Sequence, residues 1–319
     1  MFRNRALLSL ANCLKVEISE RDDIDNQTRD FQNVTYKELI LLSFDFPGVK
    51  LLALSGVRDW DLFMQNSPDK SSTSNITSIS LTNTVPADRG LMKLISRTKG
   101  LKSFRYELAL SEISKYRRFE SSPRPDRFVL SAKEFSDALQ PHEYCLEELF
   151  IKGRTTGEEP SFDPRQSIDL HSFTNLRYIG LPLNFLFTSQ SDAADYGISY
   201  SATAISKILP PALEKLHIKM NDEYNWVAFS FIPVNKRNFG TLIDDTDLEL
   251  GELSDFICEI VKNKNTRYTR LRSIIFGQSV AWCNKEIHNF EGNERCAEVF
   301  EVCKAANVHI SWNGRDTAP

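Results

Sequence analysis

Apolar residues return along this chain in a six-residue spacing, at positions 1, 4 and 6 of each unit. The spacing appears in Val49-Lys-Leu-Leu52-Ala-Leu54, Ile76-Thr-Ser-Ile79-Ser-Leu81 and Leu101-Lys-Ser-Phe104-Arg-Tyr106. It returns in Leu146-Glu-Glu-Leu149-Phe-Ile151, Leu176-Arg-Tyr-Ile179-Gly-Leu181, Leu213-Glu-Lys-Leu216-His-Ile218 and Leu271-Arg-Ser-Ile274-Ile-Phe276. Weaker copies sit at both ends, Ala11-Asn-Cys-Leu14-Lys-Val16 and Ala305-Ala-Asn-Val308-His-Ile310. Positions 4 and 6 are two apart, so on an extended strand they share one face. Position 1 lies just before the strand and turns into the same interior. Each copy therefore predicts a short strand with one apolar face, which has to stack on its neighbours to be stable.

Helical spacing fills the intervals. Asp88 to Ile95 follows Pro86 and closes at Gly100, directly before a strand. Ser131-Ala-Lys-Glu134 is a capping box leading into Phe135, Ala138 and Leu139, with Pro141 to stop the helix. Ser201 to Leu209 ends at Pro210-Pro211, and Glu252 to Val261 and Cys296 to Cys303 repeat the arrangement. Strand, loop, helix and next strand is the unit of a leucine-rich-repeat horseshoe. The predicted fold is thus α/β: an irregular solenoid, parallel strands on its concave face and helices on its convex face.

The copies start at 49, 76, 101, 146, 176, 213 and 271, so the gaps run from 25 to 58 residues. The regular repeat takes about 20–29 residues, and the excess marks insertions. They are polar and Pro- or Ser-rich: Glu120 to Asp126, Gly153 to Pro164, and Ser189 to Ser201. The predicted organisation is one solenoid over 1–319. Residues 1–48 form an N-terminal cap, 49–276 the central repeats with a long insertion at about 220–270, 277–314 a C-terminal cap, and 315–319 a tail. Within the insertion, Val227 to Val234 has strand character, the trace of a degenerate repeat.

Composition narrows the function classes. Hydrophobic residues make up 41% and charged residues 26%, as in an ordinary globular chain, and the net charge of −4 gives no general attraction to nucleic acid or anionic lipid. No apolar run is long enough for a membrane span. Arg3, Arg5 and the Ala6–Ala11 run imitate a leader, but Leu14, Val16 and Ile18 alternate like a strand, so 6–18 reads as structure. Three glycosylation sequons start at Asn26, Asn33 and Asn75, and carry weight only with secretion. The six cysteines contain no CxxC pair and predict reduced, mostly buried thiols in a cytoplasmic or nuclear protein. Cys283, His288, Cys296 and Cys303 lack the short pairs that fix tetrahedral zinc, so neither metal nor cofactor is expected.

Catalytic patterns are missing too. No nucleophile elbow, zincin or phosphate-loop motif occurs. Among the five histidines (His142, His171, His217, His288 and His309), His217 and His309 fall between apolar strand positions and point outward. The acidic run from Asp244 to Glu252 does not match the spacing of an EF-hand, and reads as a solvated loop whose later acids favour the start of the 252–261 helix. Lys115 to Arg118 is a short basic run read as solvated surface.

Function then falls to the outward strand positions 3, 5 and 7. Their middle section mixes aromatic and charged groups: Arg105, Glu107, Glu148, Phe150, Lys152, Tyr178, Lys215, His217 and Lys219. Phe150 and Tyr178, expected on adjacent strands, are the natural anchors, because buried rings dominate binding hot spots. Insertions folding back over the strip would instead bury these rings within the chain.

The segments Leu170-His-Ser-Phe-Thr-Asn-Leu176-Arg-Tyr-Ile179-Gly-Leu181-Pro, Leu209-Pro-Pro-Ala-Leu213-Glu-Lys-Leu216 and Val302-Cys-Lys-Ala-Ala-Asn-Val308-His-Ile310 carry a family likeness. From about residue 49 onward the chain resembles the leucine-rich-repeat region of fungal F-box-type proteins. That resemblance implies a ubiquitin-ligase substrate receptor, in which an F-box grips the ligase adaptor and the repeats hold a target. An F-box opens with a Leu-Pro pair starting an amphipathic helix; none precedes residue 49, and Tyr36 to Leu42 is helical in pattern without proline. The leading expectation is a non-catalytic module binding a protein partner along the concave strands, with no nucleic acid or membrane. The alternatives are a receptor of F-box type lacking its adaptor-binding element or supplied with it in trans, and an α/β enzyme without a recognisable motif.

Overall fold

A computed structural model describes residues 12–17, 40, 43–55, 74–84, 88–108, 132–152, 168–182, 186, 208–219, 245–277 and 294–313. Several expectations fall outside these residues: the 6–11 run, the sequons at Asn26 and Asn33, the basic run 115–118, and the insertions 120–126, 153–164 and 189–201. So do the helix expected over 201–207, the 227–234 segment, Cys283 and His288. The chain divides into two compact units, Met1–Gly153 and Arg154–Pro319, and each is α/β.

In the first unit five strands lie side by side in chain order, all parallel: β1 (Cys13–Glu17), β2 (Leu51–Ser55), β3 (Ser78–Thr84), β4 (Ser103–Leu108) and β5 (Glu148–Lys152). The six-residue spacing sets the register. Leu52, Ile79, Phe104 and Leu149 stand opposite one another, as do Leu54, Leu81, Tyr106 and Ile151. A bulge in β3 after Leu81 shifts the last part of its pairing with β4. Helices α1 (Asp88–Ser96) and α2 (Ala132–Leu139) precede β4 and β5 and pack on each other. Phe135 of α2 meets Phe104 of β4 at 5.5 Å between ring centres. Pro141 does not simply end α2, as expected; it sits in the first turn of a 3-10 helix, Gln140–His142. Proline suits that place because its missing N–H has no partner there anyway.

The second unit has four parallel strands in chain order: β6 (Tyr178–Pro182), β7 (Lys215–Lys219), β8 (Ser273–Gly277) and β9 (His309–Asn313). Ile179, Leu216, Ile274 and Ile310 are in register. Helices α3 (Asp245–Lys262) and α4 (Glu294–Ala305) pack together before β8 and β9. Two expectations change here. The acidic run is no loop: from Asp245 on it forms the first turns of α3, where carboxylates suit the positive end of the helix dipole, and Gly251 is carried inside the helix. The last copy of the spacing is two residues out of step. Ile310, not Val308, holds position 4, because α4 runs to Ala305 and Asn307, in a left-handed conformation at φ 52°, makes the turn into β9.

All twenty-one apolar residues of the seven good copies are buried, none more than 2% exposed. Burying one such side chain contributes about 1.5–3 kcal/mol, so every copy is tied to its neighbours. The backbone repeats as well. The position-2 carbonyls of Asn12, Lys50, Thr77, Lys102, Arg177 and Glu214 each accept two amide protons, from positions 2 and 3 of the next strand, at 2.7–3.3 Å. The amides of Val49, Leu176, Leu213 and Leu271 close a tight turn onto the carbonyl three residues back. Leu101 departs from this: its N–H donates to Nδ1 of His142 at 3.4 Å.

Candidate functional site

Strand alternation leaves positions 3, 5 and 7 on the face opposite the core. In the first unit that face is graded. β2 and β3 present Leu51 and the small side chains Ala53, Ser55, Ser78, Ser80 and Thr82, all half-buried, whereas β4 and β5 present, apart from Ser103, long ones. These meet across the strands in register. Ser103 Oγ donates to Glu148 Oε2 at 3.1 Å, the Arg105 guanidinium lies 4.8 Å from the centre of the Phe150 ring, and Lys152 Nζ is 2.9 Å from Glu107 Oε1. At position 2, Lys102 Nζ adds a 2.9 Å ion pair to Glu147 Oε1. Five of the nine expected site residues (Arg105, Glu107, Glu148, Phe150 and Lys152) are therefore assembled as one cross-strand ladder. Phe150 shows solvent a ring with a guanidinium held against one of its faces.

Tyr178, Lys215, His217 and Lys219 belong to the second unit. Tyr178 is 38% exposed and stands in register with Lys215, then Ser273 of β8 and His309 of β9. His217 lies between Gly180 and Ile275, and Lys219 between Pro182 and Gly277. This face is open unevenly. Position 3 carries exposed Tyr178 and His309, while Gly180, Ile275 and Gly277 are buried, Ile275 at 7% exposure. The register also corrects His309: it holds position 3 of β9, not position 5.

Two buried groups in the core are held in their protonated forms. Burial pushes the Cys303 thiol up to about 11 and the Tyr268 hydroxyl up to about 12, so both stay protonated near neutrality. His142 is fully buried; its Nδ1 accepts from the Leu101 amide, and its Nε2 lies 3.2 Å from the Ile95 carbonyl oxygen and 3.3 Å from Thr98 Oγ1. Burial holds its pKa below the ordinary value, and the geometry describes a structural pin. No group of three or more possible metal-binding side chains occurs among the described residues, and no described helix is long and apolar enough to cross a membrane.

Two features escaped the sequence reading. Tyr144, beside the 3-10 turn, is 71% exposed. Residues 262–272 hold Lys262, Lys264, Arg267, Arg270 and Arg272 with no aspartate or glutamate, a signal that counting charge in a sliding window would have found. The sequence matches no protein-family model and no curated protein.

Proposed function

We propose that the chain is an irregular leucine-rich-repeat array acting as a non-catalytic binding module, whose protein partner lies on the outward face of the strands. One observation carries this reading: positions 4 and 6 of the seven good copies are buried, while most alternating positions stay half-buried or exposed and include Tyr178, Phe150 and long charged side chains. Parallel strands in doubly wound enzymes are covered by helices on both faces. Such enzymes also bind ligands in the crevice where strand order reverses. Within each unit the strands follow chain order without reversal, which favours a binding surface over a catalytic crevice. Phe150 with Arg105 over its ring, and Tyr178 in register with Lys215, supply the aromatic and arginine side chains enriched at binding hot spots.

Affinity capture with the full chain, from an extract of its native source, tests the reading. Wild-type protein is expected to retain a defined set of proteins that the Phe150→Ala, Tyr178→Ala double variant releases. Identical retention by both, or no specific retention by the wild type, refutes it. A ubiquitin-ligase adaptor among the retained proteins would mark the module as a substrate receptor of the F-box type.

A further inference from the structure

Among the described residues, charge is balanced on the outward face of β4 and β5 and unbalanced on that of β6 to β9. On β4 and β5 every charged residue at positions 3, 5 and 7 has a cross-strand partner: Glu148 with Ser103, Arg105 with Phe150, Glu107 with Lys152. The corresponding positions of β6 to β9 contain no aspartate or glutamate at all, yet include Lys215 and Lys219. Lys215, half-buried between the neighbouring positions of Tyr178 and Ser273, has no ion-pair partner among the described residues.

The excess continues where β8 begins. Of the five cations in 262–272, three have side-chain partners among the described residues. Lys262 is 3.6 Å from Glu298, Lys264 donates to the carbonyls of Ala306 and Asn307 in the turn after α4, and Arg267 lies over the Tyr268 ring and reaches the Leu209 carbonyl. Arg270 and Arg272 are exposed and have no side-chain partner among the described residues. The acid nearest in register to Arg272 is Glu214, which already faces Arg177 at 3.9 Å. Among the described residues, Lys215, Arg270 and Arg272 thus have no acidic partner, and Lys215 stands in register with exposed Tyr178.

We propose that Tyr178, Lys215, Arg270 and Arg272 bind an Asp/Glu-rich segment of a protein partner, laid across the N-terminal ends of β6 to β8. Guanidinium groups take carboxylates in paired hydrogen bonds, the lysine adds a point charge, and the tyrosine offers a ring and a hydroxyl donor. Strands lie about 4.8 Å apart, so Tyr178, Lys215 and Ser273 span about 10 Å, the length of about three residues of extended peptide. Nucleic acid fits less well, because its affinity comes from many phosphate contacts, and one lysine with two arginines supplies few. The proposal rests on the binding-module reading above and names the chemistry of its partner.

The test uses fluorescence anisotropy with the full chain and three labelled probes: a Glu-rich peptide, its Gln counterpart, and a single-stranded RNA of matched charge. Expected is binding of the Glu peptide that fades with added salt, with the Gln peptide and RNA clearly weaker. Lys215→Glu with Arg272→Glu should weaken the Glu peptide about tenfold or more. The charge-matched control, Lys50→Glu with Lys99→Glu at exposed sites of the other unit, should stay within about twofold. If the reversal impairs folding, Lys215→Gln with Arg272→Gln carries the same comparison. Equal loss in the control, no preference for Glu over Gln, or tighter RNA binding overturns the acidic site. A captured protein partner that survives Lys215→Glu with Arg272→Glu but is lost with Phe150→Ala overturns this proposal alone and leaves the module standing.

Discussion

His142 converts acid into instability, and the size of the effect follows from its hydrogen bonds. With Nδ1 accepting the Leu101 amide proton, the ring is neutral and carries its hydrogen on Nε2, directed at the Ile95 carbonyl and Thr98 Oγ1. Protonation would set a second N–H against that of Leu101 inside a fully buried site. The folded-state pKa is accordingly lowered from 6.5, burial being the main cause and the bond to Ile95 opposing it. Below pH 6.5 the unfolded chain binds a proton that the folded chain resists. The stabilisation is therefore complete above 6.5 and is lost as pH falls towards the folded-state value, by at most about 1.4 kcal/mol per pH unit. His142→Leu keeps the volume but orphans the Leu101 amide; Ile95 retains the Thr98 hydroxyl, which donates to its carbonyl at 2.8 Å. One buried unsatisfied donor costs about 1–3 kcal/mol, so the variant should be about 2 kcal/mol less stable at pH 7.5. Urea unfolding of both proteins between about pH 7.5 and 5, followed by far-UV circular dichroism, isolates this residue because all other titrations cancel in the difference. The gap between wild type and variant should close as pH drops below 6.5. A gap that stays constant, or widens, refutes the account of His142 as a neutral pin.

Lys264→Met removes the cation that holds the Ala306 and Asn307 carbonyls in the turn after α4, and should destabilise the second unit by about 1–2 kcal/mol in urea; a change below about 0.5 kcal/mol would show the contact to be dispensable. For Arg105→Ala and Phe150→Ala, a double-mutant cycle should give a coupling of about 0.5–1 kcal/mol, since the pair is half-exposed, and strict additivity would remove the cation–π contact from the ladder.

The strands and their register were legible because the spacing encodes them directly. Leu149 and Phe104, or Ile179 and Leu216, occupy the same place in successive copies and meet in the structure at that place. Legibility failed where an element's edge is set by something other than apolar spacing. The acidic residues from Asp245 to Glu249 look like loop by composition, but join α3 because a helix already committed by the apolar stripe through Phe256, Ile257 and Ile260 extends cheaply backwards into residues that suit its dipole. The turn before β9 hides in Asn307, whose left-handed backbone moves the register by two residues without altering any apolar letter.

Of the candidate surface, the alternation alone determined which residues leave the core, because a strand sends neighbouring side chains to opposite faces whatever surrounds it. Which of those residues neutralise one another was decided only by the tertiary structure. Glu107 and Lys152 stand forty-five positions apart in the chain and become a pair through the register of β4 and β5. The same folding spends Lys264 on the turn after α4 and leaves Arg270 and Arg272 in solvent. Charge is a property of single residues, but its compensation depends on distance, and distance between strands is created by the fold.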